Sequence, residues 1–184
     1  MSDEKNLVTR LIEPARRRLI TGIATAFAAL IAGSEVWGEP QQQQAMREMS
    51  ATAENQKRTS LHQEAAFQAG PQRVYEVLLD SKQFAACTGL PADIDPKEGG
   101  AFSLFGRQIV GRNVELVSGQ RIVQAWRPAH WDAGVFSIVR FELKPQSSGM
   151  LLALDHTGFP EGDFDHLNEG WRNHYVQPLK KFLA

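Results

Sequence analysis

Histidine, tryptophan and aspartate recur in the last third of this chain where they can do chemistry, and His156 is the sharpest case. In the alternating run that starts at Met150, the residues Met150, Leu152, Leu154 and His156 share one face of a strand, because successive side chains point to opposite sides. An imidazole facing the same way as three apolar residues can donate or accept a hydrogen bond, or move a proton near neutral pH. Its neighbour Asp155 projects to the other face, and no other carboxylate stands at motif spacing. A core histidine bonded to a backbone carbonyl is the more economical reading. Catalysis by His156, assisted by Asp155 or Glu161 and an ordered water, is the alternative.

Three further groups invite the same question. Trp126, His130 and Trp131 bracket a loop at a strand end and suit an aromatic mouth, although edge packing explains them equally well. Asp163, Asp165 and His166 are of metal-ligating types, yet either aspartate also serves as a helix cap, where the helix dipole favours an acid. Capping suffices, so neither a metal nor a cofactor is expected. Cys87 is the only cysteine, which excludes an intrachain disulfide and a multi-cysteine metal site; with no Cys and His motif around it, a small buried hydrophobe is favoured over a nucleophile. Gly-rich phosphate loops, nucleophile elbows and His-Glu metalloprotease motifs do not occur, which weakens several common enzyme classes. Twenty Lys and Arg against 21 Asp and Glu leave a formal charge of -1, so nothing provides the basic excess that a nucleic-acid partner requires.

These residues need a scaffold, and the chain from residue 61 supplies the signals for one. Short alternating segments at 61–67, 101–105, 109–117, 121–126, 135–144 and 150–157 are punctuated by Gly, Pro, Ser and Asp, as strands of a meander are. The loops between the later ones are short enough to make neighbours antiparallel. Pro71 opens a short helix carrying Val74, Val77 and Leu78, and Ser81 is placed to cap a second one that ends at Gly89 and Pro91. After Gly158, the positions Leu167, Trp171, Tyr175, Leu179 and Phe182 recur at helical spacing and predict a long C-terminal helix. Pro178 should bend it near His174, and Gly170 should let another surface approach closely. The expected fold is α+β: a curved antiparallel sheet of about six strands wrapped on that helix, with two short helices after the first strand.

Ahead of this domain the chain changes character. Arg16, Arg17 and Arg18 precede an uncharged stretch over 19–33, the pattern of an export signal, and the paired arginines resemble a twin-arginine signal. Residues 1–38 are therefore expected to be an export signal or a membrane anchor, with a tolerable cut before Glu39. Residues 39–60, with four consecutive glutamines, form a polar linker that is at most transiently helical. The domain at 61–184 would then work in the periplasm or cell envelope.

A sheet curled around one helix can enclose more volume than its side chains fill. The inward positions are apolar with few polar points: Phe102 and Leu104, Val139 and Phe141 beside Ser137, and Leu152 and Leu154 beside His156. Together with Trp126, Trp131, Trp171 and Tyr175 these are the candidate ligand-binding residues. The expected partner is a hydrophobic small molecule.

Four segments carry a family likeness: Pro71-Gln72-Arg73-Val74-Tyr75-Glu76-Val77-Leu78, Gly99-Gly100-Ala101-Phe102, Ile122-Val123-Gln124-Ala125-Trp126-Arg127, and His156-Thr157-Gly158-Phe159-Pro160 through Gly170-Trp171 to Pro178-Leu179. In this order they resemble the helix-grip superfamily of START lipid-transfer domains, the birch-pollen allergen fold and polyketide cyclases (SRPBCC), and within it the heat-shock-protein ATPase activator homologues. The resemblance covers nearly all of 61–184. It implies a pocket between sheet and C-terminal helix, put to diverse uses, and carries over no catalytic residue. Three functions follow as expectations: binding of an apolar molecule or lipid, a cyclase- or hydrolase-like enzyme in the same pocket, and a co-chaperone-like module that binds a protein through the loop from Trp126 to Trp131.

Overall fold

The computed structural model describes residues 39–184, so the expected signal or anchor lies outside the described residues. Within them the chain runs α1 (Glu39–Lys57), β1 (Ser60–Phe67), α2 (Pro71–Leu79), α3 (Ser81–Thr88), β2 (Asp93–Ile94), β3 (Ala101–Leu104), β4 (Ile109–Val117), β5 (Arg121–Pro128), β6 (Ser137–Pro145), β7 (Met150–Thr157), α4 (Phe164–Gly170), a π-helical segment (Trp171–Val176) and α5 (Gln177–Phe182). The class is the expected α+β, with one antiparallel sheet ordered β1-β7-β6-β5-β4-β3-β2. It has seven strands rather than about six. The additional one, β2, spans two residues, and so short a segment beside Pro91 and Pro96 shows no alternation to read.

Alternation does set the rest. On β6, Ser137, Val139, Phe141 and Leu143 are buried, while Arg140 and Lys144 are exposed on the other face. The register brings Val139 opposite His156 and Phe141 opposite Leu154, so one inner face is continuous across β6 and β7. Leu61 of β1 meets His156 from the other side. Gly111 of β4 pairs with Trp126, and a Cβ there would stand 2.3 Å from the Phe102 ring. Only glycine lets that ring cross the strand.

The helices follow their cues, with two local differences. Pro71 opens α2, whose Val74, Val77, Leu78 and Leu79 are buried. Asp80, not Ser81, caps α3: its carboxylate accepts the Gln83 N–H at 2.8 Å, and the Ser81 hydroxyl instead accepts the Ile94 N–H at 2.8 Å, tying β2 to the helix. Residues 39–57 of the expected linker are helical, in keeping with a polar but Ala-, Gln- and Glu-rich composition. The end of α1 reaches the C-terminal helix: Asn55 Nδ2 donates to Asp165 Oδ1 at 3.1 Å, and the Arg58 guanidinium sits 4.0 Å over the Phe164 ring. No helix among the described residues is long and apolar enough to cross a membrane.

The C-terminal helix runs without a break from Phe164 to Phe182. The effect expected of Pro178 takes the form of a π-helical stretch just before it, where Gln177 N–H reaches Arg172 O instead of the next carbonyl along. A proline two residues into the last segment cannot donate to the carbonyl of His174, and widening the preceding turn absorbs the mismatch. Trp171, Tyr175 and Leu179 are buried against the sheet, with the Phe141 ring 5.7 Å from that of Trp171.

Candidate functional site: an aromatic cleft beside the C-terminal helix

At the end of the sheet where β3 turns into β4, the helix does not close on the strands. A cleft of about 290 Å³ opens there. Its walls are Trp126 from β5, Trp171 and Tyr175 from the helix, and Phe105, while Leu90, Ile109, Pro128 and Leu167 add apolar surface. The Trp126 and Trp171 rings lie 4.6 Å apart between centroids, and Trp171 and Tyr175 also 4.6 Å apart. His130, His166, His174 and Gln108 supply the polar side chains of the lining, along with the Tyr175 hydroxyl. Burial pushes the Tyr175 phenol well above its usual range, so it stays protonated.

Gly170 marks the helical side of this space. Its backbone is helical, with φ of -57°, and a Cβ built on it meets nothing within 4 Å among the described residues. None of them makes the close approach expected from the sequence; the glycine faces open cleft. On the opposite side, Phe105 and Arg107 flank Gly106 and all three have positive φ (54°, 76° and 63°). Two non-glycine residues in the left-handed region form a tight turn. Gly106 N–H, bonded to Pro91 O at 2.9 Å, fastens it, and the Phe105 ring packs 5.5 Å from Tyr175.

Both cleft tryptophans are held from behind by buried polar chains. Trp126 Nε1 donates to Gln124 Oε1 at 3.0 Å, Gln124 Nε2 to Asn113 Oδ1 at 2.9 Å, and Asn113 Nδ2 to Asp95 O at 2.9 Å. Trp171 Nε1 donates to His156 Nδ1 at 3.1 Å, and His156 Nε2 lies 2.7 Å from Ser137 Oγ. An indole N–H can only donate, so Nδ1 carries the lone pair and Nε2 the proton. Ser137 Oγ can then pass its own proton toward Trp126 O at 3.4 Å. Burial drives the His156 imidazole from 6.5 down to about 3, partly offset by the charge of Asp163. His156 is thus a neutral, fully bonded core histidine, although its partners are side chains and not the backbone carbonyl expected. Neither ring nitrogen is free to take a proton from a substrate. Asp155 is on the outer face as expected, 2.7 Å from His62 Nδ1, and Glu161 is exposed.

Of the candidate ligand-binding residues, Trp126, Trp171 and Tyr175 form the cleft wall. Phe102, Leu104, Val139, Phe141, Leu152, Leu154 and His156 are packed in the core. Trp131 is also buried there, and its indole N–H donates to the Asp163 carboxylate. Asp163 stands at the helix start without capping it through its side chain; Oδ2 faces Trp131 and, at 3.1 Å, His130 Nε2. Leu90, Phe105, Gln108 and His174 line the cleft without having been singled out as candidates. The four-residue spacing of His166, Gly170 and His174 was the available signal, since it puts all three on one helical face beside the apolar stripe.

Comparison with known proteins agrees with this architecture. An activator of 90 kDa heat shock protein ATPase homolog from Dictyostelium discoideum is 32% identical over 115 residues, covering 62% of this chain and 30% of that protein. The chain thus spans about a third of the length of such relatives, as it does for the human activator homolog 1 at 34%. An HSP90 activator from Plasmodium falciparum superposes with a TM-score of 0.64 at 23% identity, covering 68% of this chain and 96% of that one. A Chromobacterium violaceum protein does so with a TM-score of 0.57 at 27% identity and the same coverage. The family model for Activator of Hsp90 ATPase homolog 1-like protein matches residues 68–184, well over half of the sequence, and the chain belongs to that family.

Proposed function

We propose that this domain binds a hydrophobic small molecule or lipid in the cleft beside its C-terminal helix. The observation that carries the reading is the empty space that faces Gly170 and is walled by the contiguous rings of Trp126, Trp171 and Tyr175. A concave, mostly apolar space with a few polar groups is the form small-molecule sites take, and about 290 Å³ sits at the lower end of their sizes. Apolar ligand surface buried there gains roughly 25 cal/mol per Å². The bonding of His156 through both nitrogens weighs against the cyclase- or hydrolase-like alternative.

Similarity to heat-shock-protein ATPase activators supports a second reading, a co-chaperone-like module that binds a protein partner. As to location, Arg16 to Arg18 ahead of the uncharged stretch 19–33 supports export to the periplasm or cell envelope, with the N-terminal segment as signal or membrane anchor. Native mass spectrometry of the purified full-length chain tests the ligand reading. A retained apolar mass, or one taken up from an added apolar probe with a change in tryptophan fluorescence, is expected. A chain that neither retains nor takes up such a molecule sinks the proposal and leaves the protein-partner reading.

A further inference from the structure

The polar groups around the cleft are of one kind. Among the described residues that line it there is no Asp, Glu, Lys or Arg; the polar side chains are three imidazoles, one amide and one phenol. His166 and His174 lie two turns apart on the helix, on either side of Gly170, and both are exposed. Neither has a hydrogen-bond or ion partner among the described residues, and Gln108 across the cleft has no side-chain partner either. His130 is already engaged: its Nε2 is 3.1 Å from Asp163, and its ring stands edge-on to that of His166 with centroids 5.5 Å apart.

Such a rim selects among apolar ligands by their head group. A cation would find no carboxylate in the lining to replace its water. Asp163 lies outside it with Trp131 and His130 on its Oδ2, and the exposed Asp165 accepts from Asn55. A head with strong acceptor oxygens, by contrast, meets imidazole N–H and amide N–H groups that lack protein partners. Hydrogen bonds to an ionised acceptor are roughly twice as strong as neutral ones.

We propose that the mouth of the cleft binds the carboxylate of an apolar acid through His166, His174 and Gln108, while the tail lies against Trp126, Trp171 and Tyr175. This rests on the ligand-binding reading above and narrows it to one ligand class. The Gly170 gap is what admits the tail between the two histidines.

Titrating the full-length chain with decanoate, 1-decanol and decylammonium, all below micelle formation, tests it by tryptophan fluorescence and native mass spectrometry. Decanoate should bind about tenfold more tightly than decanol, and the ammonium most weakly. The double variant His166→Leu/His174→Leu should lose the advantage of decanoate over decanol; both sites are exposed, and Gln108→Leu gives an independent second variant. Equal binding of decanoate and decanol, a preference for the ammonium, or an undiminished decanoate advantage in both variants overturns the carboxylate assignment while leaving the apolar site standing. Binding of none of the three overturns the reading beneath it as well.

Discussion

Trp171 donates its indole proton to His156 Nδ1 at 3.1 Å, and this bond ties the cleft wall to the protonation of a residue in the core. The bond exists only while that nitrogen carries a lone pair. Because burial lowers the folded imidazole from 6.5 to about 3, the unfolded chain binds the proton first as pH falls. The contribution of His156 to stability is complete above about pH 6.5 and is lost progressively as pH falls toward 3. Urea unfolding across this window should show stability falling by up to about 1.4 kcal/mol per pH unit from this group. His156→Gln, whose amide can accept from Trp171 and donate to Ser137, should remove that part of the slope. An unchanged slope would place the acid sensitivity elsewhere.

Replacing His156 with Leu leaves the Trp171 N–H without its acceptor. The expected cost is about 2 kcal/mol at neutral pH, measured as a shift in urea midpoint, with Gln costing clearly less. Equal losses for the two variants would mean that packing and not hydrogen bonding governs this position.

Gly170→Leu separates stability from binding. The backbone there is helical and the space opposite is open, so the variant should fold with stability equal to or up to about 1 kcal/mol above the parent. Its side chain enters the cleft, and uptake of apolar probes should fall at least tenfold. Undiminished uptake would show that the ligand sits elsewhere.

Gln124 is the middle of the chain that holds Trp126. Gln124→Leu strands the Trp126 indole N–H and Asn113 Oδ1, so a loss of about 2 kcal/mol is expected. The near-ultraviolet circular dichroism should weaken at the tryptophan bands. A full-strength signal with parental stability would remove the network from any account of the wall.

Arg107 is exposed and has φ of 76°. Arg107→Gly should raise stability by about 0.5 kcal/mol, the relief of the left-handed penalty less the greater freedom of glycine in the unfolded chain. Thermal unfolding checks the sign; a clear loss would mean that the arginine side chain makes a contact worth more than the strain.

Strand alternation, turn residues and the stripe from Leu167 to Phe182 are local properties, and they made the meander, the α+β class and the C-terminal helix legible from the sequence alone. They also told which side chains point inward: His156, Leu154, Val139 and Phe141 share a face because a strand repeats every two residues, whatever lies above it. What covers that face is a different matter. The packing of the helix on the sheet closes over His156 and Phe141 yet leaves a gap at Gly170, and brings Phe105 from a distant turn to complete the wall. The same packing gave His156 an indole and a hydroxyl as partners and turned Asp163 from a cap into the acceptor for Trp131. Periodicity reports the direction of a side chain; whether it ends in core or in cleft depends on contacts between segments far apart in the chain, and only the tertiary structure decides those.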